Sequence, residues 1–282
     1  MPAVADLTVI IVALLGGDAL SASVEAVRAQ CPNLLVVTRD GTITDGSGDR
    51  IGTAEHCNIP SKRKSAVGLA STSFVALIED TVVPRQGWAA AAEAALQKPA
   101  AVACGGPVGL TTDLPASSRA LALSEYGTYN ASKSAGPATA LPGCNFAFHR
   151  DALLEAMAYE GLVDQIIFER LALQGKLLWA PAMAVEFRHA NEQGARLSTR
   201  FQHGRIYAGS GDRRLGHRAS AAAKALLLPA VLTTRTLRQA MRGGHVAPPT
   251  LGWLLLQHSA WAAGELAGAL FGPPAKGLGA WQ

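Results

Sequence analysis

Leu7–Leu15 is an unbroken apolar run rich in β-branched residues, and Gly16-Gly17 ends it. A strand buried on both faces reads this way. Leu20–Ala29 follows with helical spacing, and Leu34–Thr38 is a second short apolar run. A β-α-β unit with a crossover of that length implies parallel strands and an α/β sheet. Residues 40–50 place Gly41, Gly46 and Gly48 among Thr, Asp and Ser, which reads as loop. Ser61–Leu69 is predicted helical, Phe74–Ile78 a buried strand, and Trp88–Gln97 an Ala-rich helix. Ala101–Cys104 is predicted as a further strand stopped by Gly105-Gly106-Pro107, and residues 111–141 as irregular.

Residues 143–150 read as a strand that enters a helix at Asp151–Ala158. Asp164–Gln174 is predicted helical up to Gly175, and Leu177–Trp179 and Ala184–Phe187 are predicted short strands. Beyond them lie Ala221–Leu232, which Pro229 is expected to break, and the apolar segment Leu251–Phe271. The change of pattern puts a boundary near 190–200. It separates an α/β domain over residues 1–195 from a basic, then apolar, helical region over 196–282.

Composition narrows the class. Of 282 residues, 49% are hydrophobic and 16% charged, which excludes a disordered chain. Cys31, Cys57, Cys104 and Cys144 form no CxxC pair, so free thiols fit better than a disulfide scaffold or a zinc knuckle. The first residues lack the basic start of a signal peptide. Residues 196–242 hold ten Lys or Arg against one acidic residue. That block calls for an anionic partner such as phosphate or acidic lipid. Nucleic acid is not expected, since only Phe201 and Tyr207 interleave with the charges. Thr250–Gly264 is free of formal charge but shorter than the roughly 20 apolar residues of a spanning helix. An interfacial helix is the first expectation, and a buried or a spanning one the alternatives.

Four groups of residues could carry chemistry. Glu79-Asp80-Thr81 ends a buried strand, where open α/β sheets bind ligands. Adjacent carboxylates there suit a divalent cation on a diphosphate, or simply a solvated turn or helix cap. Gly143 and Asn145 begin a strand, where small residues let a polyhydroxyl ligand approach; an ordinary core strand is the alternative. Asp164 opens a helix, as a cap or as a general base facing an acceptor hydroxyl. His189 follows the last short strand as a surface group or a metal ligand.

The order of these groups resembles family 2 glycosyltransferases of the GT-A fold, bacterial membrane-associated type. Residues 59–88, IPSKRKSAVGLASTSFVALIEDTVVPRQGW, look like the donor-binding stretch. GCNFAFHRDALLEAM and LVDQIIFERLALQGKLLWAP look like the acceptor and base region, and HSAWAAGELAGALFG like a membrane-proximal ending. The resemblance implies a Rossmann-like, mostly parallel sheet flanked by helices, with a helical membrane-proximal extension. It implies inverting transfer of a sugar from a nucleotide-diphosphate donor to an acceptor hydroxyl, in polysaccharide or glycolipid synthesis. Carried over, Asp164 would be the catalytic base. Asp40, Arg63, Lys64, Glu79 and Asp80 would bind the donor, and Gly143, Asn145 and Trp88 would shape the sugar and acceptor pocket. Asp80 and His189 would hold Mg²⁺ or Mn²⁺. The acceptor would be a saccharide or lipid-linked sugar, and residues 196–271 would meet an anionic membrane surface at the cytoplasmic face of an inner membrane. The family's Asp-x-Asp aligns here as Ile78-Glu79-Asp80 or as Glu79-Asp80-Thr81, with one acid lost either way. A degenerate GT-A scaffold and a sugar nucleotidylyltransferase are the alternatives.

Overall fold

The protein is described from a computed structural model that covers residue 4 and residues 6–56, 58–130, 133–157, 164–188, 197–209, 215–240 and 247–273. The strands are β1 (Leu7–Val12), β2 (Leu34–Val37), β3 (Thr42–Asp45), β4 (Arg50–Thr53), β5 (Phe74–Glu79), β6 (Val82–Pro84), β7 (Ala103–Gly105), β8 (Val108–Leu110), β9 (Gly136–Pro137), β10 (Asn145–His149), β11 (Leu177–Trp179) and β12 (Val185–Phe187). The helices are α1 (Gly17–Arg28), α2 (Ile59–Leu69), α3 (Trp88–Leu96), α4 (Ala116–Tyr126), α5 (Arg150–Met157), α6 (Asp164–Leu173), α7 (Leu197–Gly209), α8 (Leu215–Ala240) and α9 (Pro248–Phe271).

Residues 1–111 and 129–189 form one unit, and residues 112–128 and 190–282 another. The first unit is built on a nine-stranded sheet in the order β4-β3-β2-β1-β5-β10-β7-β11-β9. β1, β2, β4, β5, β7 and β11 run one way, and β3, β9 and β10 run the other. A small second sheet pairs β6, β12 and β8. The uniform Val, Ile and Leu of β1 and β5 are explained by burial on both faces, where Leu7, Ile10, Ile11, Leu77 and Ile78 are wholly inaccessible. Chain order reverses at β1, with β2 on one side and β5 on the other. Such a switch point leaves a crevice beyond the carboxyl ends of the strands.

An aromatic cluster fixes the far side of the sheet. Phe146 and Phe148, two apart on β10, share a face, and Phe168 of α6 packs on both at ring-centroid distances of 5.2 and 6.2 Å. This contact holds α6 against the sheet and sets its first residue, Asp164, one turn before Phe168.

Two stretches depart from the sequence expectation. Residues 40–50 form the β3–β4 hairpin rather than a loop, because β3 pairs antiparallel with β2 and buries Ile43. Residues 111–141 contain α4, whose buried Ser118, Ala120 and Ala122 are too small to give a clear helical period. α8 also runs through Pro229 without breaking; its contacts with α9 along one face override the local preference.

The second unit packs by close backbone approach. A Cβ on Gly264 of α9 would lie 2.0 Å from the carbonyl oxygen of Phe201, and one on Gly204 of α7 would lie 2.2 Å from that of Trp261. No other residue fits at these crossings. Polar groups are buried around them. The Arg200 guanidinium donates to Glu125 Oε1 at 2.8 Å and lies 4.6 Å from the centroid of the Trp261 ring. His258 Nδ1 is 3.0 Å from the Thr233 hydroxyl. Among the described residues, no helix is long and apolar enough to cross a membrane.

Burial pushes both His203 and His258 down to about 4, so the folded unit keeps them neutral. The unfolded chain protonates them near 6.5, and so binds more protons than the folded state between those values. Stability is expected to fall as pH drops from about 6.5 to about 4, by up to about 3 kcal/mol for each histidine. Thermal melting across that range checks this, with His258→Gln expected to flatten the slope. Gly264→Ala is expected to destabilise the same unit by about 1–3 kcal/mol in chemical denaturation.

Candidate functional site

The site residues of the first unit gather at the carboxyl ends of β1, β2 and β5. The β1–α1 turn comes first. Gly16 and Gly17 both take positive φ, 76° and 55°, a backbone shape costly for other residues. That shape turns three successive amides toward one point, and Asp80 stands there. Its Oδ1 accepts from Leu14 N at 2.8 Å, and its Oδ2 accepts from Leu15 N at 2.9 Å and Gly16 N at 2.7 Å. The Asp80 side chain is fully buried. Its negative charge is met by three amide dipoles and the positive end of α1.

Asp80, expected from the sequence as a metal and donor ligand, is engaged here by the backbone. Both of its oxygens are engaged by the backbone and shielded from solvent. The residue after it, Thr81, is neutral, and Glu79 before it is tied to Arg63 at 3.1 Å. Among the described residues, no group of three or more acidic, His or Cys side chains is placed to hold a metal ion. The donor set around Asp80 therefore does not fit a divalent cation. His189, the second proposed ligand, lies outside the described residues.

Arg63 is the centre of what the structure does bring together. Its Nη2 donates to Glu79 Oε1 and, at 2.9 Å, to the carbonyl of Gly143. Its guanidinium lies 5.5 Å from the centroid of the Phe146 ring. The Arg63 and Glu79 side chains are 5% and 12% exposed. Burial of such a pair costs about what its attraction returns, but removing one partner strands the other at about 3–5 kcal/mol. The arrangement is therefore rigid, with Gly143 half-buried beside it.

The neighbouring lysines of α2 differ in burial. Lys62 is buried and its Nζ donates to the carbonyl of Arg39, just past β2, at 2.8 Å. Lys64 is exposed. The signal was present in the helical period: Lys62 and Arg63 lie four residues before the buried Ala66 and Val67, on the same face of α2. Asp40 sits in the β2–β3 turn at this edge and is exposed. Hydrogen bonds from the Thr38 hydroxyl and from the Thr42 amide and hydroxyl hold its carboxyl below the usual range, so it remains ionised.

Asn145 and Trp88, expected from the sequence to shape a sugar and acceptor pocket, pack against each other in the interior. Both side chains are fully buried, and Trp88 Nε1 donates to Asn145 Oδ1 at 2.8 Å. Asn145 Nδ2 donates to the carbonyls of Met183 at 2.8 Å and Gly106 at 3.2 Å. Their role is to tie β10, α3 and the 106 and 183 loops together. A sequence motif cannot distinguish an amide facing a sugar from one facing a buried indole. Asp164 opens α6, as the spacing suggested. At the same carboxyl edge, Trp179 of β11 stacks with Tyr129 at 6.2 Å, and Lys133 Nζ lies 5.1 and 5.4 Å from the two ring centroids.

Asp80→Ala would orphan three partly buried amides, at about 1 kcal/mol or more each. The expected loss is at least about 3 kcal/mol in urea denaturation, the same with or without a chelator. A loss that appears only when Mn²⁺ is present would restore Asp80 as a metal ligand.

No family model matches this chain, and no curated protein is similar to it in sequence. Solved structures are similar in fold. The mannosyltransferase PcManGT from Pyrobaculum calidifontis, in complex with GDP-Man and Mn²⁺, superimposes with a TM-score of 0.50 at 17% identity. The similarity covers 94% of this chain and 74% of that one. GalNAc-T7, with UDP, GalNAc and Mn²⁺, gives 0.51 at 14% identity over 77% of this chain and 50% of that one. The chain thus has the GT-A-like α/β fold of these glycosyltransferases, with a helical C-terminal region.

Proposed function

We propose that the protein is an inverting glycosyltransferase that moves a sugar from a nucleotide-diphosphate donor to an acceptor hydroxyl. The observation that carries this reading is the rigid Arg63–Glu79–Gly143 cluster at the switch point of a GT-A-like sheet. A saccharide or a lipid-linked sugar is the acceptor class, and the cytoplasmic face of an inner membrane is the proposed setting. The solved neighbours, which carry nucleotides or nucleotide sugars, support the donor class.

In this reading Asp40 and Glu79 contact the nucleoside, and Arg63, with Lys62 and Lys64 on the same helix, offsets the charge of the diphosphate. Asp164 takes the proton of the acceptor hydroxyl. The acceptor oxygen then forms its bond to the anomeric carbon from the face opposite the leaving group. The bond from that carbon to the phosphate oxygen breaks, and its electron pair leaves with the nucleoside diphosphate. Base and leaving group on opposite faces give inversion. No step is assigned to a metal. Thr81, neutral where the family has an acid in one of the two alignments, favours a second reading, a catalytically degenerate GT-A scaffold.

Thermal shift with UDP, GDP and dTDP tests the first half of this proposal. A nucleotide at about 100 times its Kd adds about 2.7 kcal/mol of stability. Arg63→Lys is expected to weaken that shift by at least tenfold in affinity. Asp164→Asn is expected to keep nucleotide binding while lowering turnover of the matching nucleotide sugar by about 10²–10⁴-fold. Absence of binding to all three nucleotides, or binding without turnover in the wild type, would overturn the transferase reading and favour the scaffold.

A further inference from the structure

Trp179 closes β11 at the carboxyl edge of the large sheet. Through the register of β5, β10, β7 and β11 it lies three strands from the end of β5, about 14 Å away. It shares a sheet face with Leu177, two residues before it, which packs in the core with Phe146 and Phe168. α6 lies on that face. A tight turn at Gly175 joins α6 to β11, so the helix runs back against the strand. Its first residue, Asp164, thereby comes to the same edge and the same face as Trp179.

Around Trp179 the chain builds a group that the donor chemistry leaves unused. The indole Nε1 donates to the carbonyl of Lys133 at 3.2 Å, which fixes the backbone there. The Tyr129 ring stacks on the indole, and the Lys133 ammonium stands 5.4 Å from the tyrosine centroid and 5.1 Å from that of Trp179. Trp179 is buried, Tyr129 half-buried and Lys133 exposed, so the phenol ring and the ammonium are the parts that a ligand can reach. Aromatic faces draw an ammonium close but carry no net charge, so they place the cation without neutralising it. Segments 98–112, 129–150 and 175–185, which bring β7, β9, β10 and β11 to this side of the sheet, contain no Asp or Glu. The start of α6 adds Asp164 to them.

We propose that Tyr129 and Lys133, positioned by Trp179, form a subsite for an anionic saccharide, a hexuronate or a sugar phosphate. The apolar face of the sugar ring lies on the Tyr129 ring, and its carboxylate or phosphate pairs with Lys133 Nζ. A bare anion gains nothing from the phenol ring, and a neutral sugar gains nothing from the ammonium; an anionic sugar uses both. On the transferase reading, on which the term rests, this ligand is the acceptor. It stands at the edge and on the face where α6 begins, about three strand spacings from the strand end assigned to the donor. The lysine then selects among acceptors and takes no part in making or breaking the glycosidic bond.

Ligand-observed NMR titration of the full chain tests it, with glucuronate, glucose 6-phosphate and glucose as probes and acetate and inorganic phosphate as controls. At least one of the two anionic sugars is expected to bind tenfold or more tightly than glucose and than either control, with the preference shrinking as salt rises. Lys133→Gln is expected to remove the preference while glucose binding and melting stay as in the wild type, since the side chain is exposed. Tyr129→Ala is expected to weaken all three sugars by about tenfold. UDP, GDP and dTDP are expected not to displace the sugar. The proposal is overturned if no sugar binds, if glucose or a control anion binds as tightly as the anionic sugars, or if Lys133→Gln keeps the preference. It is also overturned if a nucleotide displaces the sugar, which would assign the group to the donor. Sugar binding without nucleotide binding would sink the transferase reading and leave the subsite standing; nucleotide binding without sugar binding would do the reverse. The comparison of probes on the wild type and on Lys133→Gln stands even if Tyr129→Ala fails to fold.

Discussion

Three amides and one carboxylate hold the carboxyl edge of the sheet in shape. Leu14, Leu15 and Gly16 all donate to Asp80, and through it the end of β1, the start of α1 and the end of β5 become one piece. An amide side chain has only one acceptor oxygen and could not serve the three as well; a carboxylate can, and its charge is stabilised by the donors and by the helix end. Glu79 occupies the position before Asp80, so its orientation is inherited from that anchor. Arg63 is held in turn by Glu79 and by the carbonyl of Gly143. The switch point is thus held in shape from inside the fold.

How much of this was legible follows from physical differences between residues. β1, β2 and β5 were readable because burial on both faces demands an unbroken run of branched aliphatics, and little else in a soluble chain looks like that. The β3–β4 hairpin was not, because its residues are polar and glycine-rich and it exists through pairing with β2. α4 was hidden by small side chains. The acidic strand end stood out in the sequence, but the places of its two carboxylates were not separable: Glu79 and Asp80 are neighbours, and alternation along a strand sends one toward Arg63 and the other inward to the loop. Asn145 and Trp88 carried the same ambiguity, since an amide or indole that hydrogen-bonds inside the fold reads in sequence like one that faces a ligand.

The two units solve the problem of a stable interior differently. The first unit fills its core with branched aliphatic and phenyl side chains. The second brings helix backbones together and encloses polar groups between them. Arg200 is buried against Glu125 and Trp261, and Gln257 is fully buried with neither amide atom bonded within the described residues. Each unbonded buried polar atom costs about 1–3 kcal/mol. The second unit therefore gives up part of its packing energy to polar burial, and its stability is tied to the charge state of His203 and His258.

The glycine crossings between α7 and α9 have a mechanical consequence. Side-chain contacts between helices can shear, because rotamers change and the helices slide. Contacts made by backbone carbonyls against Gly204, Gly264 and Gly268 leave nothing to rearrange. α7 and α9 are therefore coupled as a single strut with a fixed register. Any load on one is transmitted to the other without slack, and motion within this unit must fall to the segments that join the strut to its neighbours.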